Sequence, residues 1–169
     1  MKLTLSVLVR RTVQSVALCW VAIAFLLCLS PAAIAATASD AADAVEIMVY
    51  RDPSCHCCGR WMDHLREQGF EPKNIPTENM DAFKQQHGIP DELASCHTAV
   101  VNGYLIEGHV PAADIKQLLA EQPQVAGIAV PGMPIGTPGM ESEEDSDPFT
   151  VFSFDNQGNV TALNEYSPE

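Results

Sequence analysis

A short apolar, β-branched run, Val45-Glu46-Ile47-Met48-Val49-Tyr50, breaks at Asp52-Pro53-Ser54 and leads directly into Cys55-His56-Cys57-Cys58. That junction narrows the possible folds more than any other feature of the chain. The run has the composition of a strand. Ser54 is placed to cap a helix from Cys55 to Gln68. Trp61, Met62, Leu65 and the following Phe70 supply its apolar side, and Gly69 suits its end. Cys55 and Cys58 then share a face of the first helical turn. The partial positive charge of a helix N-terminus favours thiolate, the form that binds metal and attacks disulfides. The spacing therefore fits a redox dithiol and a metal clamp alike. Cys57 separates them in part: a third sulfur competes with dithiol pairing, whereas a metal site gains from it. His56 either ligates or tunes the thiols.

The remaining elements follow from pattern and punctuation. Phe70 to Ile75 reads as a second strand. Thr77 or Asn79 caps a helix over Met80 to His87, closed by Gly88, and Pro90 to Leu93 suits one further helical turn. Thr98 to Val101 and Tyr104 to Ile106 read as strands joined by Asn102-Gly103, a two-residue hairpin signal. Pro111 opens a helix to Ala120, with Ile115, Leu118 and Leu119 at helical spacing. Gly127 to Met140, rich in Pro and Gly, reads as an ordered loop. Glu141 to Asp145 is an acidic, solvated run. Thr150 to Phe154 and Asn159 to Leu163 flank Asp155-Asn156-Gln157-Gly158 and form a closing hairpin.

The order β-α-β-α-β-β-α predicts an α/β fold: a thioredoxin-like mixed sheet flanked by helices, with a C-terminal β-hairpin. The stretch Thr98 to Gly108 resembles the second half of glutaredoxins. In that family a cis-proline before the strand faces the dithiol. Here Cys96-His97 occupies the place, so the alignment sets the second Cys/His pair against the first cluster.

The N-terminal part has a different character. Lys2, Arg10 and Arg11 precede an apolar run, Thr12 to Leu29, followed by Pro31 and Ala33-Ile34-Ala35. Basic, apolar, then small-x-small is the layout of a secretory signal peptide, cleaved after Ala35. The alternative is a retained membrane anchor, since the run is long enough to span a bilayer. Residues 1–35 are thus the signal peptide and 36–44 a linker. A thioredoxin-like metal-binding domain covers 45–140, an acidic loop 141–148, and the hairpin and tail of the same domain 149–169.

Three of the nine Lys and Arg lie in the signal segment, while all 22 Asp and Glu follow it. Such a surface repels phosphate backbones and argues against nucleic-acid binding. Of the six cysteines, Cys19 and Cys28 leave with the signal peptide. An exported chain with four cysteines ordinarily carries two structural disulfides. Three of these four crowd into one turn, which favours functional thiols over staples.

Cys96-His97 is the second element of the constellation, with a buried small hydrophobe as the bland alternative. His109, in Gly108-His109-Val110-Pro111, sits between the hairpin and the next helix, as a ligand or a capping residue. His64 and His87 read as solvent-facing. Met133 and Met140 lie in Gly/Pro-rich sequence, either packing on the domain or presenting thioether sulfur. Thioether prefers Cu(I), and zinc seldom takes it. Cys, His and Met together point to copper before zinc.

Four stretches in this order, Cys55-His56-Cys57-Cys58-Gly59, Ser95-Cys96-His97-Thr98, Glu107-Gly108-His109-Val110-Pro111 and Val130-Pro131-Gly132-Met133-Pro134, closely resemble the bacterial periplasmic copper-resistance proteins of the CopG type. The resemblance runs from Val45 to Met140 and extends to the closing hairpin. It implies a thioredoxin-like domain that binds copper through the cysteine cluster, Cys96 and a nearby histidine, and suggests cycling between Cu(I) and Cu(II). In the family glycine usually stands between the first two cysteines, where this chain has His56.

The expected function is periplasmic copper binding for resistance. Cys55, Cys57, Cys58 and Cys96 are the thiolate ligands, His97 and His109 the imidazole ligands, and Met133 and Met140 weaker candidates at a transfer surface. A copper-efflux or copper-chaperone protein is the expected partner, and the membrane is met only through an uncleaved signal segment. The alternatives are a thiol–disulfide oxidoreductase using Cys55 and Cys58, and a zinc-stabilised binding module.

Overall fold

A computed structural model describes residues 44–143 and 145–168. The readings made on the signal segment and most of the linker lie outside the described residues. The elements are β1 (Val45–Arg51), α1 (His56–Glu67), β2 (Phe70–Pro76), α2 (Met80–Gln86), a 3₁₀ turn (Asp91–Leu93), β3 (His97–Val101), β4 (Tyr104–Glu107), α3 (Ala112–Glu121), β5 (Gly127–Ala129), β6 (Phe149–Phe154) and β7 (Val160–Tyr166). The strands form one mixed sheet in the order β2-β1-β3-β4-β5-β6-β7. β1 runs parallel to β2 and antiparallel to β3, and β3 is antiparallel to β4. This is the expected thioredoxin-like arrangement. No helix among the described residues is long and apolar enough to cross a membrane.

Alternating strand side chains divide the core between the two faces of the sheet. Ile47 and Val49 of β1, Ile106 of β4, Ile128 of β5 and Val151 of β6 pack with Trp61 and Leu65 of α1 and Ile115 of α3. A smaller cluster gathers Ala129 and Phe154 with Ile89 and Leu93 from the segment after α2. Truncating a buried leucine such as Leu65 to alanine costs about 2–5 kcal/mol.

Several local expectations meet their elements. Asn79 caps α2, its Oδ1 accepting from Ala82 N at 3.0 Å. Asn102 and Gly103 take φ of 48° and 86°, as a two-residue hairpin with positive φ at both positions requires. Gly69, at φ 88°, follows the end of α1.

Three expectations are corrected. Ser54 does not cap α1; its N–H and Oγ–H both donate to Asp52 Oδ1, at 2.7 and 2.5 Å, and Cys55 takes the cap position without a side-chain bond. Asp52 captures the serine because an Asx turn competes with helix capping for the same short side chain. The stretch read as loop from Gly127 begins with a strand, β5, parallel to β4 and antiparallel to β6. It joins the closing hairpin to the main sheet. His64 is half-buried and accepts the N–H of Ala112 at 3.3 Å, joining α1 to the start of α3.

Candidate metal centre

Strand direction explains why distant motifs meet. β1 ends at Arg51, and its antiparallel neighbour β3 starts at His97, directly opposite. β4 ends at Glu107 opposite Thr98, so His109 emerges at the same end of the sheet. β5 runs parallel to β4 and delivers Val130-Pro131-Gly132 there as well. Each motif therefore leaves or enters the sheet at one end.

Hydrogen bonds to backbone carbonyls hold the cysteine turn in place. Arg51 Nη1 donates to Asp52 O at 3.1 Å and Cys55 O at 2.9 Å, and Cys55 N donates to Asp52 O at 3.1 Å. Cys55 and Cys58 are joined in a disulfide with an S–S distance of 2.06 Å. Cys57 and Cys96 are free. The expected set of four thiolates therefore includes two sulfurs that are bonded to each other here. Those two ligate as thiolates only after two-electron reduction.

Cys96 is the centre of the arrangement. Its Sγ lies 3.6 Å from Cys58 Sγ and 3.9 Å from Cys57 Sγ, and Cys57 Sγ is 3.4 Å from Cys55 Sγ. On its other side, Cys96 Sγ lies 3.2 Å from His97 Nδ1 and 3.1 Å from His109 Nε2. Two overlapping groups thus have ligand atoms within 4.8 Å of one another: Cys55, Cys57, Cys58 and Cys96; and Cys96, His97 and His109. Cys96 belongs to both.

The two histidines are oriented in different ways. Pro138 O lies 2.7 Å from His109 Nδ1, and only the N–H tautomer at Nδ1 makes that bond. In neutral His109 the lone pair then sits on Nε2 and faces Cys96. His97 is fully buried, its Nδ1 faces Cys96, and its Nε2 has no hydrogen-bond partner. The His97 ring lies 4.3 Å from the Trp61 ring and 5.0 Å from that of His109, centroid to centroid.

Burial holds the His97 pKa well below the usual imidazole range, and the charges of His109 and Lys84 push the same way. Burial also lowers that of His109, against the opposing pull of Pro138 O and Glu141. Both rings therefore favour the neutral form, which is the ligating form. Burial, reinforced by Cys57, pushes the Cys96 thiol up to about 12. A soft cation reverses that preference, because coordination deprotonates a thiol outright. Sulfur and neutral imidazole together make a donor set suited to copper or zinc.

The other sequence candidates differ in exposure. Met133 is 53% exposed, and its loop is anchored beside Cys96: Gly132 N donates to Ala94 O at 3.1 Å, and Ser95 Oγ donates to Gly132 O. Met140 is half-buried; the preceding Gly139 accepts from Arg60 Nε at 2.8 Å. His56 is exposed, and His87 is exposed with its ring stacked on Phe83. Sequence reasoning missed Arg51, Pro138 and Glu107. Glu107 is a buried carboxylate that accepts from Ser95 N, next to Cys96, at 2.7 Å. Its place in the Glu107-Gly108-His109 motif was the one signal available.

Comparison with known proteins agrees with this picture. A family described as "Protein of unknown function, DUF411" matches residues 93–140. A solved structure named "Copper resistance protein copG- Form 2" is 42% identical, with a TM-score of 0.70, covering 73% of this chain and 98% of that one. "Copper resistance protein copG- Form 1" is 41% identical, with a TM-score of 0.70, covering 75% and 100% respectively. No curated protein matches the chain.

Proposed function

The chain belongs to the CopG-type copper-resistance family, and from that membership and the donor set around Cys96 we propose that it binds copper in the periplasm and protects that compartment from excess metal. Cys55, Cys57, Cys58 and Cys96 are the thiolate ligands in the reduced protein. His97 and His109 are the imidazole ligands. The observation that carries the reading is the position of Cys96, within 3.9 Å of two sulfurs on one side and two imidazole nitrogens on the other. A sulfur shared in this way supports more than one copper.

Copper is cargo on this reading. Sulfur donors favour Cu(I) and imidazole accepts both oxidation states, so the mixed set supports cycling between Cu(I) and Cu(II). Export follows cleavage after Ala35, and residues 45–140 with the hairpin 149–169 act as one domain. Met133 and Met140 line the face from which copper passes to an efflux or chaperone protein. The excess of acidic residues attracts cations to the surface.

Anaerobic Cu(I) titration of the reduced protein against a chromophoric chelator tests the proposal. Tight, stoichiometric Cu(I) uptake is expected. Zinc alone in the purified protein, with no uptake of Cu(I), would defeat the copper reading.

The Cys55–Cys58 disulfide at the start of α1 favours a second reading, a thiol–disulfide oxidoreductase. Insulin reduction separates the two. Robust turnover by metal-free protein, abolished by copper, supports the exchanger; negligible turnover supports the copper site.

A further inference from the structure

Glu107 and Lys84 form an ion pair among the buried residues. Glu107 is fully buried and Lys84 is 7% exposed. The carboxylate accepts from Ser95 N at 2.7 Å, from Thr98 Oγ1 at 2.5 Å and from Lys84 Nζ. Lys84 Nζ also donates to Thr98 Oγ1 at 3.2 Å. A buried ion pair contributes little net stability, because desolvation offsets the attraction, and a well-packed apolar pair often serves as well. Joining α2 to the sheet is thus a weak reason for charges at both positions.

The identity of the donors gives a stronger reason. Ser95 immediately precedes Cys96, and Thr98 immediately follows His97. One oxygen of Glu107 holds the residue before the Cys96-His97 pair, and the other holds the residue after it. Gly108, next to Glu107, keeps this approach close. It takes φ of 74°, and a Cβ there would stand 2.5 Å from Ser95 Oγ and 2.5 Å from Val130 O. On its far side, Ser95 is tied to Gly132.

We infer that Glu107 is a positioning residue for the Cys96-His97 ligand pair, holding the Ser95 backbone N–H before it and the Thr98 hydroxyl after it while Lys84 balances the buried charge. The inference rests on the copper reading above. Groups behind metal ligands commonly set affinity and spectrum without touching the ion.

Glu107→Gln keeps the size of the side chain but strands the Lys84 ammonium, which destabilises the fold by itself. The double variant Lys84→Met/Glu107→Gln removes the stranded charge. We expect the double variant to recover the metal-free melting temperature lost in Glu107→Gln. Its Cu(I) affinity should stay about 10–100-fold below wild type, and its Cu(II) EPR signal should differ from wild type. Thr98→Val, which keeps the ion pair and releases one side of the clamp, should shift the EPR signal in the same direction. Wild-type affinity and EPR signal in both the double variant and Thr98→Val would overturn the inference. The wild-type titration separates the two levels: a wild type that takes up no Cu(I) refutes the copper reading itself.

Discussion

The two sides of Cys96 are built on opposite terms. On the sulfur side, Cys55 and Cys57 are half-exposed on a turn at the start of a helix, and Cys55 and Cys58 are covalently paired. On the imidazole side, His97 and His109 are buried, and His109 is fixed by a backbone carbonyl. On the proposed copper reading, two-electron reduction would free two more thiolates on one side, while the other would offer the same two nitrogens in either state. Such a centre combines a donor set that answers to redox conditions with one that is preset, and Cys96 joins them.

Removal of the shared atom should break the comparison most severely. Cys96→Ser takes a ligand from both groups at once, so copper stoichiometry should fall at least as far as in Cys55→Ser. Cu(I) titration of the two variants checks this. Trp61 offers a second reading, because its ring lies 4.3 Å from His97. Copper should quench its fluorescence in the wild type and much less in Cys96→Ser. Cys96→Ser that binds like wild type would make Cys96 a structural residue.

The next effect concerns only the sulfur side. Protein purified with Cys55–Cys58 intact should bind less copper than the same protein after reduction. Copper-edge X-ray absorption should show relatively more nitrogen in the oxidised sample and more sulfur in the reduced one. Equal sulfur-to-nitrogen ratios in both would mean that the pair does not ligate.

The imidazole side is best probed from behind. Gly139 takes φ of 83°, and a Cβ there would stand 2.5 Å from Trp61 N. Its neighbour Pro138 supplies the carbonyl that orients His109. Gly139→Ala should cost about 1–3 kcal/mol in chemical denaturation through backbone strain. By moving Pro138 it should also weaken copper binding about tenfold. Unchanged affinity in a destabilised variant would show that His109 needs no such support.

The sulfur side was far more legible in the sequence than the supports of the imidazole side. Cysteine spacing and the strand before it are local patterns, and the antiparallel order of β1, β3 and β4 converts them into spatial proximity. The place of Cys96-His97 followed from the same topology. Pro138 left no trace, because it acts through a carbonyl that every residue has. Lys84 and Glu107 were unreadable as partners, since they lie 23 positions apart and both types usually face solvent. Strand β5 was hidden by its length of three residues and by Gly127, whose missing Cβ lets it approach Leu105 O. The disulfide was equally hidden, because the same Cys-x-x-Cys spacing serves a bonded and a metal-bound pair.

Met133 should show the smallest effect, and the test separates ligation from transfer. It is 53% exposed, one residue beyond the anchor at Gly132. Met133→Leu keeps the bulk of the side chain and removes the sulfur. An exposed substitution of this kind should change stability by less than about 0.5 kcal/mol. If Met133 serves only the exit of copper, the equilibrium affinity should match wild type while Cu(I) moves more slowly to a competing chelator in stopped-flow. On that reading an exposed thioether would capture the ion briefly between the buried site and its acceptor, so its loss would raise a kinetic barrier and leave both end states unchanged. A lowered affinity would instead place the Met133 sulfur among the ligands and extend the sulfur side of the centre to the surface.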